Sequence, residues 1–540
     1  MTKPLLDISG VSVAFGKAAV VKGVSFSIAP GEIVGIAGES GSGKSTICRA
    51  ALGLLPPTAA VTGDIRLDGA PLTGLAAEEW SKLRGRDLSM IFQNPSSHLN
   101  PLQTIGAQIA RPLMRHLGLS RGAAWDKAVA LLEDVGIREP AMRAKSYPHE
   151  LSGGMKQRVM IAAAIGCAPR LLIADEPTTA LDVTVQQKIL ELLKDLNRQR
   201  GLAIALISHD LGVLADICSR IVVMRHGEIV EQGEAQQVVS NPRHPYTRLL
   251  VNSQPGRTSL TSGWSGETAE TPLLEVKGLK VHFPVKRDLI DIMQRRTPEP
   301  FKALDGIDLT IKAGETVGVV GESGSGKSTL ARTIILQNRA TEGAVTLEGR
   351  PIADISGAAL LAFRRRVQMV FQNPYDSLNP RMTALETIAE PIWRHQLADR
   401  AGALRQAEKL LDMVELKREF GSRRPGQLSG GQCQRVGIAR ALALKPEILI
   451  ADEITSALDV TTQAQILDLL ARLQRERRLT LLYISHDLSV VSSFCQRVYV
   501  FRSGKIVEHG GAADVLGNPR EAYTQQLVAS IHRLPDLVAG

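Results

Sequence analysis

Cysteine is scarce and scattered in this sequence. The five, Cys48, Cys167, Cys218, Cys433 and Cys495, are odd in number and none lies in a C-x-x-C. That pattern excludes a disulfide framework and a cysteine zinc site. It fits a reducing compartment, where a free thiol acts as a small buried apolar group. Long apolar runs are also missing. No stretch approaches the ~18 continuous apolar residues that span a bilayer. The N-terminal MTKPLLDISG lacks the apolar core of a signal peptide. The chain is therefore expected not to cross a membrane itself. No run of five or more Lys/Arg occurs, so nothing favours nucleic acid. The net charge of +9, from 64 basic and 55 acidic side chains, is a mild excess. It reads as solvated surface, with attraction to an anionic membrane surface or to nucleic acid as the sharper alternative.

What is present begins with length. At 540 residues the chain is several times the usual domain of roughly 100–200 residues, so two or more domains are expected. Apolar content of 44% and charged content of 22% suit a globular protein. Nine residues, GESGSGKST at 38–46, return unchanged at 321–329. FQNP at Phe92 returns at Phe371, LSGG at Leu151 at Leu428, Asp175 as Asp452, and His209 as His486. The landmarks keep their order and nearly their spacing, which marks a duplicated domain of about 250 residues. The expected division is 1–250, a linker at 251–272, and 273–540. The linker is rich in Ser, Thr and Gly and has no hydrophobic period. Fully extended it reaches on the order of 70 Å. A second irregular piece, VKRDLIDIMQRRTPEPFKAL after Phe283, reads as a loop insertion. Each copy reads as α/β. Short apolar strands such as EIVGIAG, LLIAD and AIALISHD are continuous in the way of buried parallel strands.

The repeated nine residues fit G-x-x-x-x-G-K-[ST], a phosphate-cradling loop between a strand and a helix. Its glycines let backbone N–H groups turn toward phosphate oxygens, and the following helix N-terminus favours an anion. The candidate binding residues are Gly38, Ser40, Gly41, Gly43, Lys44, Ser45 and Thr46. Their copies are Gly321, Ser323, Gly324, Gly326, Lys327, Ser328 and Thr329. Lys44 and Lys327 supply point charges to the outer phosphates, and the hydroxyls of Ser45 and Ser328 suit Mg²⁺. LLIADEP and LIADEI place paired acids at strand ends. Asp175 and Asp452 are expected to hold Mg²⁺ through water, and Glu176 and Glu453 to polarise an attacking water. LSGG in each half reads as a helix start. Ser152 or Ser429 is the cap, and Gly153, Gly154, Gly430 and Gly431 leave N–H groups open to an anion.

LSGGMKQR and LSGGQCQR closely resemble the signature sequence of ATP-binding cassette (ABC) ATPases, and the likeness covers the chain except for the linker. The resemblance implies two P-loop domains in tandem, each with a RecA-like core and a helical subdomain, packed head to tail. It makes Gln93 and Gln372 the Q-loop residues and Mg²⁺ ligands. His209 and His486 become the switch histidines, with a catalytic role beside Glu176 and Glu453. Phe15 and Phe283 sit where the family places an aromatic against adenine. Ala180, Leu181 and Asp182, and Ala457, Leu458 and Asp459, match the D-loops. ATP would lie between the P-loop of one half and the signature of the other. One site would join Lys44, Gln93, Asp175, Glu176 and His209 to Ser429, Gly430 and Gly431. The other would join Lys327, Gln372, Asp452, Glu453 and His486 to Ser152, Gly153 and Gly154. Both are expected to be competent for hydrolysis. Two departures stand out: Ile454 where the first half has Pro177, expected to tune the site only, and Cys433, a passive substitution or an exposed thiol.

FQNPSSHLNP, FQNPYDSLNP, and NPRHPYTRLL at Asn241, with a weaker copy NPREAYTQQL at Asn518, resemble the peptide/nickel importer subfamily in its fused form. That likeness implies the energy-coupling subunit of a bacterial importer for peptides or related small solutes. Such a subunit sits on the cytoplasmic face of the inner membrane under two permease chains, fed indirectly by an extracytoplasmic solute-binding protein, with no nucleic acid. Residues 247–272 hold no Cys, so the iron–sulfur cluster of some members is not expected. The other reading is a translation factor on ribosomes, but that class joins its halves by a long charged helical linker, unlike this one. The solute is not legible.

Overall fold

The computed structural model describes residues 3–178, 183–254, 271–284, 299–456 and 458–531. The chain divides into two compact units, with the break after Gln254.

In the first unit a six-stranded sheet carries the core. Its order is Glu228–Glu234, Arg220–Arg225, Ile33–Ala37, Ala203–Ile207, Leu171–Asp175, Leu88–Ile91. All neighbours are parallel except the first pair. The residues of strands Ile33–Ala37, Leu171–Asp175 and Ala203–Ile207 are buried throughout, because both faces of the sheet are covered. Alternate residues serve opposite cores. Val34, Ile36, Leu171 and Ile173 pack with Val11, Val13 and Ile47 beneath a four-stranded antiparallel sheet. Ile33, Leu172 and Ala174 pack with Ile109, Leu131 and Ile161 on the other face. Those last residues belong to helices Ile105–Leu117, Arg121–Asp134 and Gly153–Ile165, which pack on one another as a helical subdomain. Each fully buried Ile or Leu contributes roughly 1.5–3 kcal/mol relative to exposure, so two filled faces hold the central strands firmly.

The second unit repeats the plan. Its six strands run Val367–Val370, Ile448–Asp452, Thr480–Ile484, Thr316–Val320, Arg497–Arg502, Lys505–Gly511, again with only the last pair antiparallel. Helices Ala384–Arg394, Arg400–Met413 and Gly430–Leu442 form its helical subdomain. Asp399 caps the second of these through Gly402 N–H at 2.9 Å. The helix Pro245–Asn252 closes the first unit with Val251 buried, and strand Pro272–Phe283 opens the second. Ordered structure therefore reaches into both ends of the segment read as linker, whose middle lies outside the described residues, as does most of the insertion after Phe283. Among the described residues no helix is long and apolar enough to cross a membrane.

Candidate functional site

The phosphate loop joins strand Ile33–Ala37 to helix Lys44–Ala51. Gly38 and Gly43 sit at φ 145° and 99°, where a side chain would be strained. A Cβ on Gly38 would lie 2.3 Å from the carbonyl oxygen of Met224, so the loop can pass there only without one. Lys44 opens the helix. It is 5% exposed, and its ammonium donates to the Gly38 and Glu39 carbonyls, both at 2.7 Å. Burial lowers its pKa, and the nearby charges of Glu176 and Asp175 work against that shift.

The neighbouring strand Leu171–Asp175 delivers the acids. Ser45 Oγ donates to Asp175 Oδ1 at 2.8 Å. Asp175 is buried, and this raises its pKa, with the Ser45 hydrogen bond opposing. Glu176 follows at φ 46°, a left-handed backbone for a non-glycine residue, and its N–H is tied to Ile207 O at 3.1 Å. The turn directs the Glu176 carboxylate to Gln93 and His209. Gln93 Nε2 donates to Glu176 Oε2 at 2.7 Å, and His209 Nδ1 stands 3.6 Å from Oε1. His209 precedes Asp210, whose carboxylate caps helix Leu211–Ile217 through Gly212 and Val213 N–H. Burial would lower the His209 pKa, but the hydrogen bond and charge of Glu176 raise it overall.

The second unit builds the same cluster. Lys327 donates to Gly321 O at 2.7 Å and Glu322 O at 2.8 Å. Ser328 Oγ reaches Asp452 Oδ1 at 3.1 Å, Gln372 Nε2 reaches Glu453 Oε2 at 2.7 Å, and His486 Nδ1 lies 3.5 Å from Glu453 Oε2. Glu453 has φ 49°. Burial pushes its pKa up, yet His486, Lys327 and Gln372 together bring it down, while His486 itself is raised.

Thus each half brings its own lysine, serine, glutamine, acid pair and histidine together at the carboxyl ends of its parallel strands. The signature residues lie elsewhere. Ser152 caps Gly153–Ile165 by accepting from Met155 N–H at 3.4 Å, and Ser429 caps Gly430–Leu442 through Gln432 N–H at 3.3 Å. Both helices belong to the helical subdomains. The second signature glycine also has a steric duty that the sequence did not reveal: a Cβ on Gly154 would lie 2.8 Å from Val185, and one on Gly431 2.4 Å from Thr462.

The two aromatics differ. Phe15 pairs with Ala18 and Ala59 at the strand end and is partly buried, whereas Phe283 is 40% exposed and pairs with the exposed Phe301. Residues 179–182 and 457 lie outside the described residues, so the first D-loop and Ala457 of the second are not placed. Cys433 is fully buried, its Sγ 3.5 Å from Pro425 O and its pKa pushed up to about 11 by burial, which is the passive reading of that substitution. Ile454 is 1% exposed and packs in the core of its unit.

A strand, a glycine-rich loop holding a buried lysine, and a strand-end acid pair define a P-loop nucleotide-hydrolysing unit, here present twice. The family model described as ABC transporter matches residues 21–179 and 304–456, and the chain belongs to that family: it binds ATP and is an ATPase. Residues 230–274 match the model described as oligopeptide/dipeptide transporter, C-terminal region. Among relatives, the peptidoglycan transport ATP-binding protein YejF of Agrobacterium fabrum is 45% identical over 98% of this chain and 96% of its own length. The uncharacterized ABC transporter ATP-binding protein YejF of Escherichia coli is 42% identical over 98% of this chain and 100% of its own. The glutathione import ATP-binding protein GsiA of Salmonella paratyphi A is 40% identical over 98% and 90%.

Proposed function

We propose that this chain is the energy-coupling subunit of an importer for peptides or related small solutes, with two hydrolysis-competent ATP sites. The observation that carries the importer reading is the oligopeptide/dipeptide C-terminal match at 230–274 on a chain whose two halves both keep every catalytic side chain. Relatives named for peptidoglycan and glutathione transport support the solute class.

Within each half the lysine ammonium, held on its own loop carbonyls, keeps its charge and turns its N–H donors to the outer phosphates when ATP binds. Glu176 or Glu453 orients and polarises the attacking water, and its carboxylate is fixed by the glutamine and the histidine. The Ser45–Asp175 and Ser328–Asp452 pairs are hard oxygen donors. Each includes a buried carboxylate whose charge a cation would stabilise, so they fit Mg²⁺, with Gln93 and Gln372 as further ligands. The ion would neutralise charge on the phosphates. The signature residues Ser429, Gly430 and Gly431 complete the first site, and Ser152, Gly153 and Gly154 the second, by head-to-tail pairing of the halves, with Phe15 and Phe283 toward adenine. The connecting segment keeps the halves at high effective concentration. The chain works peripherally at the cytoplasmic face of the inner membrane, under two permease subunits supplied by an external solute-binding protein.

A tagged pull-down from detergent-solubilised membranes, read by mass spectrometry, tests this. Two permease chains are expected. Ribosomes without any integral membrane protein would overturn the importer reading.

A further inference from the structure

Tyr246 belongs to the C-terminal motif NPRHPYTRLL, to which no chemistry is assigned above, yet it touches the phosphate loop. The Glu231 carboxylate accepts from Arg243 N–H at 2.9 Å and His244 N–H at 3.0 Å, fixing the entry to helix Pro245–Asn252. His244 Nδ1 then caps that helix by accepting from Tyr246 N–H at 3.1 Å. The result is a tyrosine 2% exposed, with the Arg225 guanidinium 4.6 Å over its ring. Its hydroxyl oxygen accepts the Glu39 N–H at 3.1 Å.

That N–H and the Gly38 carbonyl belong to one planar trans peptide, so they point in opposite directions. The Gly38 carbonyl is where Lys44 donates, at 2.7 Å. One peptide is thus held from both edges, by the tyrosine on one side and the loop lysine on the other. The second half repeats the arrangement. Glu508 accepts from Arg520 and Glu521 N–H at 2.9 and 3.2 Å. Tyr523 is 5% exposed, lies under Arg502 at 4.8 Å, and accepts from Glu322 N–H at 3.1 Å. Lys327 donates to Gly321 O at 2.7 Å. The two motif copies differ in sequence, and the helix cap His244 is Glu521 in the second, without a side-chain cap bond. The tyrosine contact nevertheless keeps the same partner and distance.

We propose that Tyr246 and Tyr523 are positioning residues for ATP, each latching the first peptide of its phosphate loop so that the loop lysine waits where the phosphates arrive. The C-terminal motif of each half is then a support for that half's own nucleotide site. The inference rests on reading these loops as ATP sites.

The test is the full-length chain carrying Tyr246→Phe and Tyr523→Phe, which removes only the hydroxyls and keeps the rings under their arginines. Hydrogen exchange at the Glu39 and Glu322 amides, without nucleotide, is expected to quicken. The Kd for a fluorescent ATP analogue, and KM for ATP, should rise roughly five- to tenfold, as for loss of one buried hydrogen bond, with kcat little changed and the melting temperature lowered by less than a change that removes the ring. Tyr246→Leu, which also removes the ring, should lower the melting temperature further. Unchanged loop exchange together with unchanged ATP affinity in the Phe variant would overturn the latch. Should the wild-type chain bind no ATP, the ATP-site reading fails, and the exchange measurement alone decides the latch.

Discussion

Glu176 and Glu453 are the centres of the two clusters. Each sits on a left-handed backbone at a strand end, braced by a glutamine and a histidine. Replacing both by Gln keeps the shape and removes the base. ATP turnover of the Glu176→Gln, Glu453→Gln chain should fall on the order of 10²-fold or more, and wild-type turnover in a steady-state assay would sink the assignment. The Glu453–His486 pair also predicts a pH dependence. The raised folded pKa of His486 means its contribution is complete below the unfolded value of 6.5 and is lost as pH rises through the folded value. The lowered pKa of Glu453 means its share is complete above 4.5 and is lost as pH falls through the folded value. A double-mutant cycle with Glu453→Gln and His486→Ala, measured by denaturant unfolding, should therefore show stronger coupling at pH 6 than at pH 9. Lysines, acids and histidines were legible here because each lies in a short motif tied to a strand or loop. The left-handed glutamates and the tyrosine contacts were not: a φ value leaves no mark on residue type, and Tyr246 meets Glu39 across more than two hundred residues.

At the scale of elements, strands were the easiest to read. Continuous runs such as LLIAD are buried on both sides, and the alternation between two cores needs no polar face. The signature helices were legible from their serine caps. Their second glycine was read only as an opening for an anion, because its partner comes from a distant helix. Gly431 faces Thr462 Cγ2, a stiff β-branched group, so Gly431→Ala should cost about 1–3 kcal/mol and lower the melting temperature by several degrees. Thr462→Ser removes that methyl and should recover most of the loss. A double variant no more stable than Gly431→Ala alone, by calorimetry, would show that the clash is not the cause.

For the whole molecule, duplication is the organising fact: every side chain of the first cluster has a counterpart in the second, at nearly the same distances. It was visible in the sequence through five landmarks that recur in order. The scattered cysteines also behave as expected. All five are free and buried, and burial raises every thiol pKa. Thiol titration of the native chain should find them slow to react, and all five available after denaturation; fast labelling of the native protein would contradict this burial.

Energy coupling to import is tested most directly by peptide uptake into proteoliposomes holding the chain with its co-purified permeases and solute-binding protein, with ATP on the side of the ATPase. ATP-dependent accumulation of labelled peptide is expected, and it should disappear with Glu176→Gln, Glu453→Gln. Uptake that persists in that variant, or that needs no ATP, would contradict that coupling.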